Sequence, residues 1–82
     1  MYTVTWRSGA LDKLAQIWMS ADDRESITQA SNEIDATLRR LGDQAGESRE
    51  GNRRFYFEAP LAIYFETFQE DLRVEVTAVW AR

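Results

Sequence analysis

Eighty-two residues with a formal charge of −4, no cysteine and no histidine set firm limits on what this chain does. The length allows one small core, and neither a disulfide framework, a thiolate site nor an imidazole acid–base group is available. A hydrophobic content of 44% with a single proline marks one folded domain over residues 1–82, and no apolar run nears the ~20 residues of a membrane span. No secretory signal opens the chain, so the expectation is a cytoplasmic protein without cofactor, metal or membrane partner.

Tyr2–Trp6 alternates in a strand pattern, with Tyr2, Val4 and Trp6 on one face. Ser8 is placed to cap a first helix reaching about Ser20, with Leu11, Leu14, Ala15 and Trp18 forming its apolar stripe. Asp22, with Glu25 three residues on, reads as the cap of a second helix. Ile27, Ala30, Ile34, Leu38 and Leu41 then repeat at the spacing of one buried face, and Gly42 stops the run. The short connection makes the two helices an antiparallel hairpin. Trp6, Trp18 and Trp80 are expected to share the core. The acids at Asp22, Asp23 and Glu25 suit a helix N-terminus.

Residues 43–52 form the long polar loop, in which Gly46-Glu47-Ser48-Arg49 is followed closely by Arg53-Arg54. The window from Arg39 to Arg54 carries +2, while the rest of the chain carries −6. Arginine forks suit phosphate or carboxylate, so this acidic chain has gathered its positive charge for local rather than general anion binding.

Arg53–Glu58, Ala62–Phe68 and Leu72–Trp80 read as three strands, turning at Ala59-Pro60-Leu61 and Gln69-Glu70. Placing Phe55, Phe57, Ile63, Phe65, Val74 and Val76 on the core face pairs Phe55 with Phe65 and Phe65 with Val74. That register puts Arg54, Glu66 and Arg73 in one outer row and Tyr56, Tyr64 and Glu75 in the next, with Arg53 at the core-side edge. The expected fold is α+β, in the order β-α-α-β-β-β, a helical hairpin packed on a small antiparallel-rich sheet.

In that order and at that length, the chain resembles the RelE/ParE superfamily of type II toxin–antitoxin toxins. The resemblance spans the opening strand, the hairpin with Leu14-Ala15 and Trp18, the Gly46–Arg49 loop, Arg53-Arg54, Pro60–Tyr64 and the closing Val74–Trp80 strand. It implies a growth-inhibiting toxin, of the kind linked to plasmid stabilisation, that is neutralised by a small cognate antitoxin. The target implied is mRNA on the ribosome in the RelE branch and DNA gyrase in the ParE branch. Arg53, Arg54 and Arg82 match basic positions of the family, whereas Leu61 or Ala62 stands where the ribonuclease branch has an arginine. That branch's C-terminal tyrosine or histidine has no counterpart up to Arg82.

Cleavage by 2′-hydroxyl attack needs a base, charge stabilisation and an acid. Arg49, Arg54 and Arg73 are the candidates for stabilising charge and Glu47 for the base. Glu58, Glu66, Tyr56 and Tyr64 are the remaining groups of suitable type. Target binding is expected at Arg49, Arg53, Arg54 and Arg82. The other readings are a non-catalytic binder that inhibits gyrase or acts only through its antitoxin, and an orphan non-toxic binding domain of the same fold.

Overall fold

A computed structural model describes residues 1–82. Its elements are β1 (Thr3–Trp6), α1 (Ser8–Ser20), α2 (Arg24–Leu41), β2 (Glu47–Ser48), β3 (Arg53–Glu58), β4 (Leu61–Phe68) and β5 (Arg73–Ala81). The strands make one mixed sheet in the order β1-β5-β4-β3-β2, with β1 parallel to β5 and the other pairs antiparallel. Both helices lie on one side of it. The expected α+β architecture is present, with Glu47–Ser48 added as a short edge strand inside the predicted loop.

The stripe of α2 does what its spacing demands. Ile27, Ala30, Ile34 and Leu38 are buried together with Leu61, Ile63, Phe65, Val74 and Val76 of the sheet. At its start Asp23, rather than Asp22, accepts the Ser26 amide at 3.2 Å, and the Ser26 hydroxyl donates to the Asp23 carbonyl at 3.0 Å. The two adjacent aspartates differ by one residue of phase, and the reciprocal serine selects the second. Gly42 ends the helix at φ +51°, where a Cβ would lie 2.1 Å from the Tyr2 ring. A side chain there meets both left-handed strain and that ring. Tyr2 in turn donates its hydroxyl to Asp43 at 2.8 Å, and Gln69 donates to the other oxygen of the same carboxylate. One carboxylate thereby ties the start of β1 to the end of α2 and to the β4–β5 connection. The hydrogen bond to Asp43 raises the Tyr2 pKa.

Helix α1 is rotated from the expected stripe. Its core-facing residues are Ala10, Leu14 and Ile17, whereas Leu11 is 50% and Trp18 40% exposed. Arg7, not Ser8, occupies the cap position, without a side-chain hydrogen bond. The small Ala10 side chain permits close approach to the sheet, and that choice turns the larger Leu11 and Trp18 outward.

The β3 register also differs, and its consequence is larger. The turn between β3 and β4 contains two residues, Ala59 and Pro60, so Glu58 pairs with Leu61 and Phe55 with Tyr64. The sequence reading used a three-residue turn, and a slip of one residue exchanges the faces. Arg54 and Tyr56 therefore lie on the helix side with Phe65 and Ile63, while Arg53, Phe55 and Phe57 lie on the other. Between β4 and β5 the pairing is displaced by two residues, Phe65 with Val76, because the connection runs through Gln69–Leu72. That even displacement preserves the faces from Phe65 to Phe68. A bulge between Tyr64 and Phe65 sets Tyr64 opposite Ala78 and turns Trp80, expected on the core side, to the other side of the sheet. The expected Arg54–Glu66–Arg73 row is replaced by Arg53–Glu66–Glu75, and Arg73 stands opposite Phe68. The Tyr56–Tyr64–Glu75 row is likewise dissolved, since Tyr56 has moved to the helix side.

Candidate functional site

No helix covers the other side of the sheet, and the two-residue turn sends alternate β3 residues there. Phe55 meets Tyr64 edge-on with ring centroids 5.8 Å apart, and Trp80 lies 5.9 Å from Phe55 and 5.2 Å from Tyr64. Ala62, between its cross-strand partners Phe57 and Trp80, is fully buried without joining the helix-side core. The bare face thus holds a small aromatic cluster of its own. Trp80 belongs to this cluster, Trp18 is exposed on α1, and Trp6 donates its indole N–H to Asp35 at 3.0 Å. The expected core shared by three tryptophans does not form: only Trp6 packs against the helix-side core, while Trp18 and Trp80 lie on two other surfaces.

Arginines cap this cluster. The Arg53 guanidinium lies 4.0 Å from the Tyr64 ring centroid, Arg49 5.1 Å from Phe55 and Arg82 5.4 Å from Phe57. Stacking of this kind holds a guanidinium without consuming its in-plane N–H donors. None of Arg53, Arg73 and Arg82 takes part in an ion pair. Arg73 stacks at 4.2 Å over Phe68, farther along the same face. The acidic groups on this side are Glu47 at the β2 edge and Glu66 and Glu75, which pair across β4 and β5 and share Arg7 at 3.8 and 3.3 Å.

The sequence-predicted residues therefore divide. Arg49, Arg53 and Arg82 converge around the aromatic cluster, and Arg73 stands apart from it on the same face. Glu47 lies on β2, its side chain 72% exposed, within 3.5 Å of Arg49. Arg54 is turned away: its Nε donates to the Ala45 carbonyl at 2.7 Å and a terminal nitrogen to the Gly46 carbonyl at 3.0 Å. Arg39 and Arg40 end α2 in the helix layer, where positive charge suits the helix C-terminus. The basic window of the sequence is split by the fold into three parts. Tyr64 lies on the outer face as expected, whereas Phe55 and Trp80, expected in the core, lie there too; aromatics in both phases of Arg53–Glu58 were the available signal for Phe55.

On the helix side, Tyr56 donates its hydroxyl to Glu58 at 2.7 Å. Burial first, and then the Glu58 carboxylate, raise its pKa against the lowering effect of Thr37. A second surface lies between the helices. Leu11, Leu14, Ala15 and Trp18 of α1 face Ile27, Thr28 and Ser31 of α2 across an open groove of about 310 Å³. Arg24 stacks 4.5 Å from the Trp18 ring at one end of it. No helix is long and apolar enough to cross a membrane.

No family model matches the sequence, and no curated protein matches it either. Solved structures do. A chain of the chromosomal ParDE toxin–antitoxin system from P. aeruginosa aligns at a TM-score of 0.74 and 18% identity, over 99% of this chain and 96% of that one. The RelBE2 toxin–antitoxin complex from Mycobacterium tuberculosis aligns at 0.72 and 16%, covering 99% and 91%. The isolated E. coli RelE toxin aligns at 0.68 and 14%, covering 99% and 84%. At these identities the likeness is one of fold, and it extends over nearly every residue.

Proposed function

Starting from a RelE/ParE-like toxin fold over essentially the whole chain, we propose that this protein is the toxin of a type II toxin–antitoxin pair. It arrests growth through the bare sheet face and is neutralised by a small protein partner in the same cytoplasm. The observation that carries this reading is the set of three stacked arginines, Arg49, Arg53 and Arg82, around Phe55, Phe57 and Tyr64. Two of these three, Arg53 and Arg82, have no acidic partner, which leaves their in-plane donors open to an anion. The face is equipped to meet an anionic partner.

The antitoxin has a surface suited to it. The groove between α1 and α2 is apolar along Leu11, Leu14 and Trp18, which fits the apolar stripe of an amphipathic helix. Structural neighbours include a ParDE system and a RelBE2 complex, which supports assigning a partner of this class here.

Induced expression tests the proposal directly. Wild-type protein should stop growth, and co-expression of the neighbouring small open reading frame should restore it. Neutralising Arg53 and Arg82 together should abolish arrest at equal soluble yield. Undiminished arrest in that variant places the active surface elsewhere. Recovery of no small partner in a tagged pull-down from the native operon removes the antitoxin half of the reading.

Cleavage of mRNA is the second reading, favoured over gyrase inhibition by one feature. Half-buried aromatics among arginines, with Phe57 exposed beside them, suit unpaired bases and their phosphates. Glu66 and Glu47 are the carboxylates on that side able to accept a 2′-hydroxyl proton. Mapping of cleaved message ends against gyrase supercoiling assays separates the two targets.

A further inference from the structure

Arg54 looks like part of the basic patch in sequence and is not part of it in space. Its partner across the sheet is Phe65 on the helix side, so the side chain runs under the loop rather than over the bare face. There its fork holds two successive carbonyls, Ala45 at 2.7 Å and Gly46 at 3.0 Å. No other side chain reaches either oxygen. Ala45 is 1% exposed, so a carbonyl left unpartnered there is costly. Gly46 is held so close to β3 that a Cβ would lie 2.0 Å from the Phe55 carbonyl oxygen.

These contacts fix where the chain re-enters the sheet. Ser48 pairs with Arg54 and Glu47 with Phe55 in a two-residue strand, too short to hold itself in place. The next residue, Arg49, bonds its amide to the Arg53 carbonyl at 2.8 Å and lays its guanidinium over Phe55. The route from Arg54 to Arg49 is therefore short, two hydrogen bonds to Ala45 and Gly46 and then the chain from Gly46 to Arg49. Clamped carbonyls hold β2 on β3, and β2 delivers Arg49 to the bare face.

We propose that Arg54 is a positioning residue that fastens the Ala45–Ser48 segment and thereby places Arg49 over Phe55 on the bare face. Its charge is incidental to any target, and its planar pair of donors is what matters. Lysine, a single point of charge, does not reproduce the two bonds. The functional consequence rests on the toxin reading, but the positioning itself does not.

Two arms test it. In the first, NMR follows the Arg49 δ-protons, shifted by the Phe55 ring, and amide exchange at Ser48 and Arg49, in wild type, Arg54→Lys and Arg54→Met. Both variants should lose the ring-induced shift and exchange these amides at least ~10-fold faster, with Ile34 and Phe65 unchanged. Retention of the wild-type shift in Arg54→Met overturns the proposal. If Arg54→Met does not fold, Arg54→Lys carries the same readout. In the second arm, growth arrest is titrated for Arg49→Ala, Arg54→Lys and the double variant. Positioning predicts that the double variant loses no more potency than Arg49→Ala alone. Multiplying losses mean that Arg54 meets the target independently, and overturn it. A wild-type protein that does not arrest growth removes the toxin reading and leaves the NMR arm to decide.

Discussion

Both faces of this sheet carry apolar side chains, mainly aliphatic on one and aromatic on the other, and the two are closed in different ways. On the helix side, Ile63, Phe65, Val74 and Val76 are fully buried under Ile34 and Leu38. On the bare side, Phe55, Tyr64 and Trp80 cluster as closely, yet guanidinium groups and solvent take the place of helices. Apolar area covered by protein drives folding, whereas aromatic area left beneath arginine is available for a partner. One face therefore holds the fold, and the other is spare for function. Substitutions on the two faces should separate stability from activity.

The largest expected effect falls on the covered face. Ile34 and Leu38 are both 0% exposed, and truncating either to alanine should cost about 2–5 kcal/mol. Urea or thermal unfolding measures the loss, and growth arrest should disappear with it. A loss below about 1 kcal/mol would mean that the covered face is not the main source of stability.

Next comes the seam where β2 joins the sheet. Gly46 has φ +63°, and its Cβ position is blocked by the Phe55 backbone rather than by a movable side chain. Gly46→Ala should cost about 1–3 kcal/mol and release β2, read as faster exchange of the Arg49 amide. The bare face should yield less. Trp80→Ala removes two aromatic contacts, each of about 0.5–1.5 kcal/mol, without opening the helix-side core. If arrest falls much further than stability in this variant, the division of labour between the faces holds. Equal falls would make the aromatic cluster a second core and no more.

The difference between the faces also explains what the sequence revealed. The stripe from Ile27 to Leu38 has one period and one solution, and its burial was readable at once. Arg53–Glu58 has aromatics at 55, 56 and 57, so hydrophobic alternation cannot choose its face. The choice was made by a turn one residue shorter than the pattern suggested. With that turn went the placement of Arg53 and Arg54, and hence the membership of the candidate site. The helix pair was legible as a pair, but Ala10, which sets the rotation of α1, carries no hydrophobic signal strong enough to compete with Leu11. Arg49 and Arg82 could be named beforehand because loop and terminal residues do not depend on register.

The smallest expected effect lies at the margin of the covered face, in the alkaline limb of stability. Burial, assisted by Glu58, raises the Tyr56 pKa above the usual tyrosine value of about 10. The folded state thus prefers the neutral phenol more than the unfolded chain does. Below the unfolded pKa both states keep the proton, and the contribution is fully present. As pH rises past about 10 the unfolded chain ionises first, and the contribution is lost through the folded pKa. Tyr2, raised by its bond to Asp43 just past the C-terminal end of α2, acts in the same direction. Stability measured by urea unfolding should be level from neutral pH to about 9 and decline above it. Tyr56→Phe removes the titrating group and should make that decline shallower, at the expense of the hydrogen bond to Glu58 at every pH. An unchanged alkaline slope in Tyr56→Phe would assign the decline to Tyr2 instead. Tyr2→Phe alone then distinguishes the two, and the double variant should flatten the limb whichever tyrosine dominates.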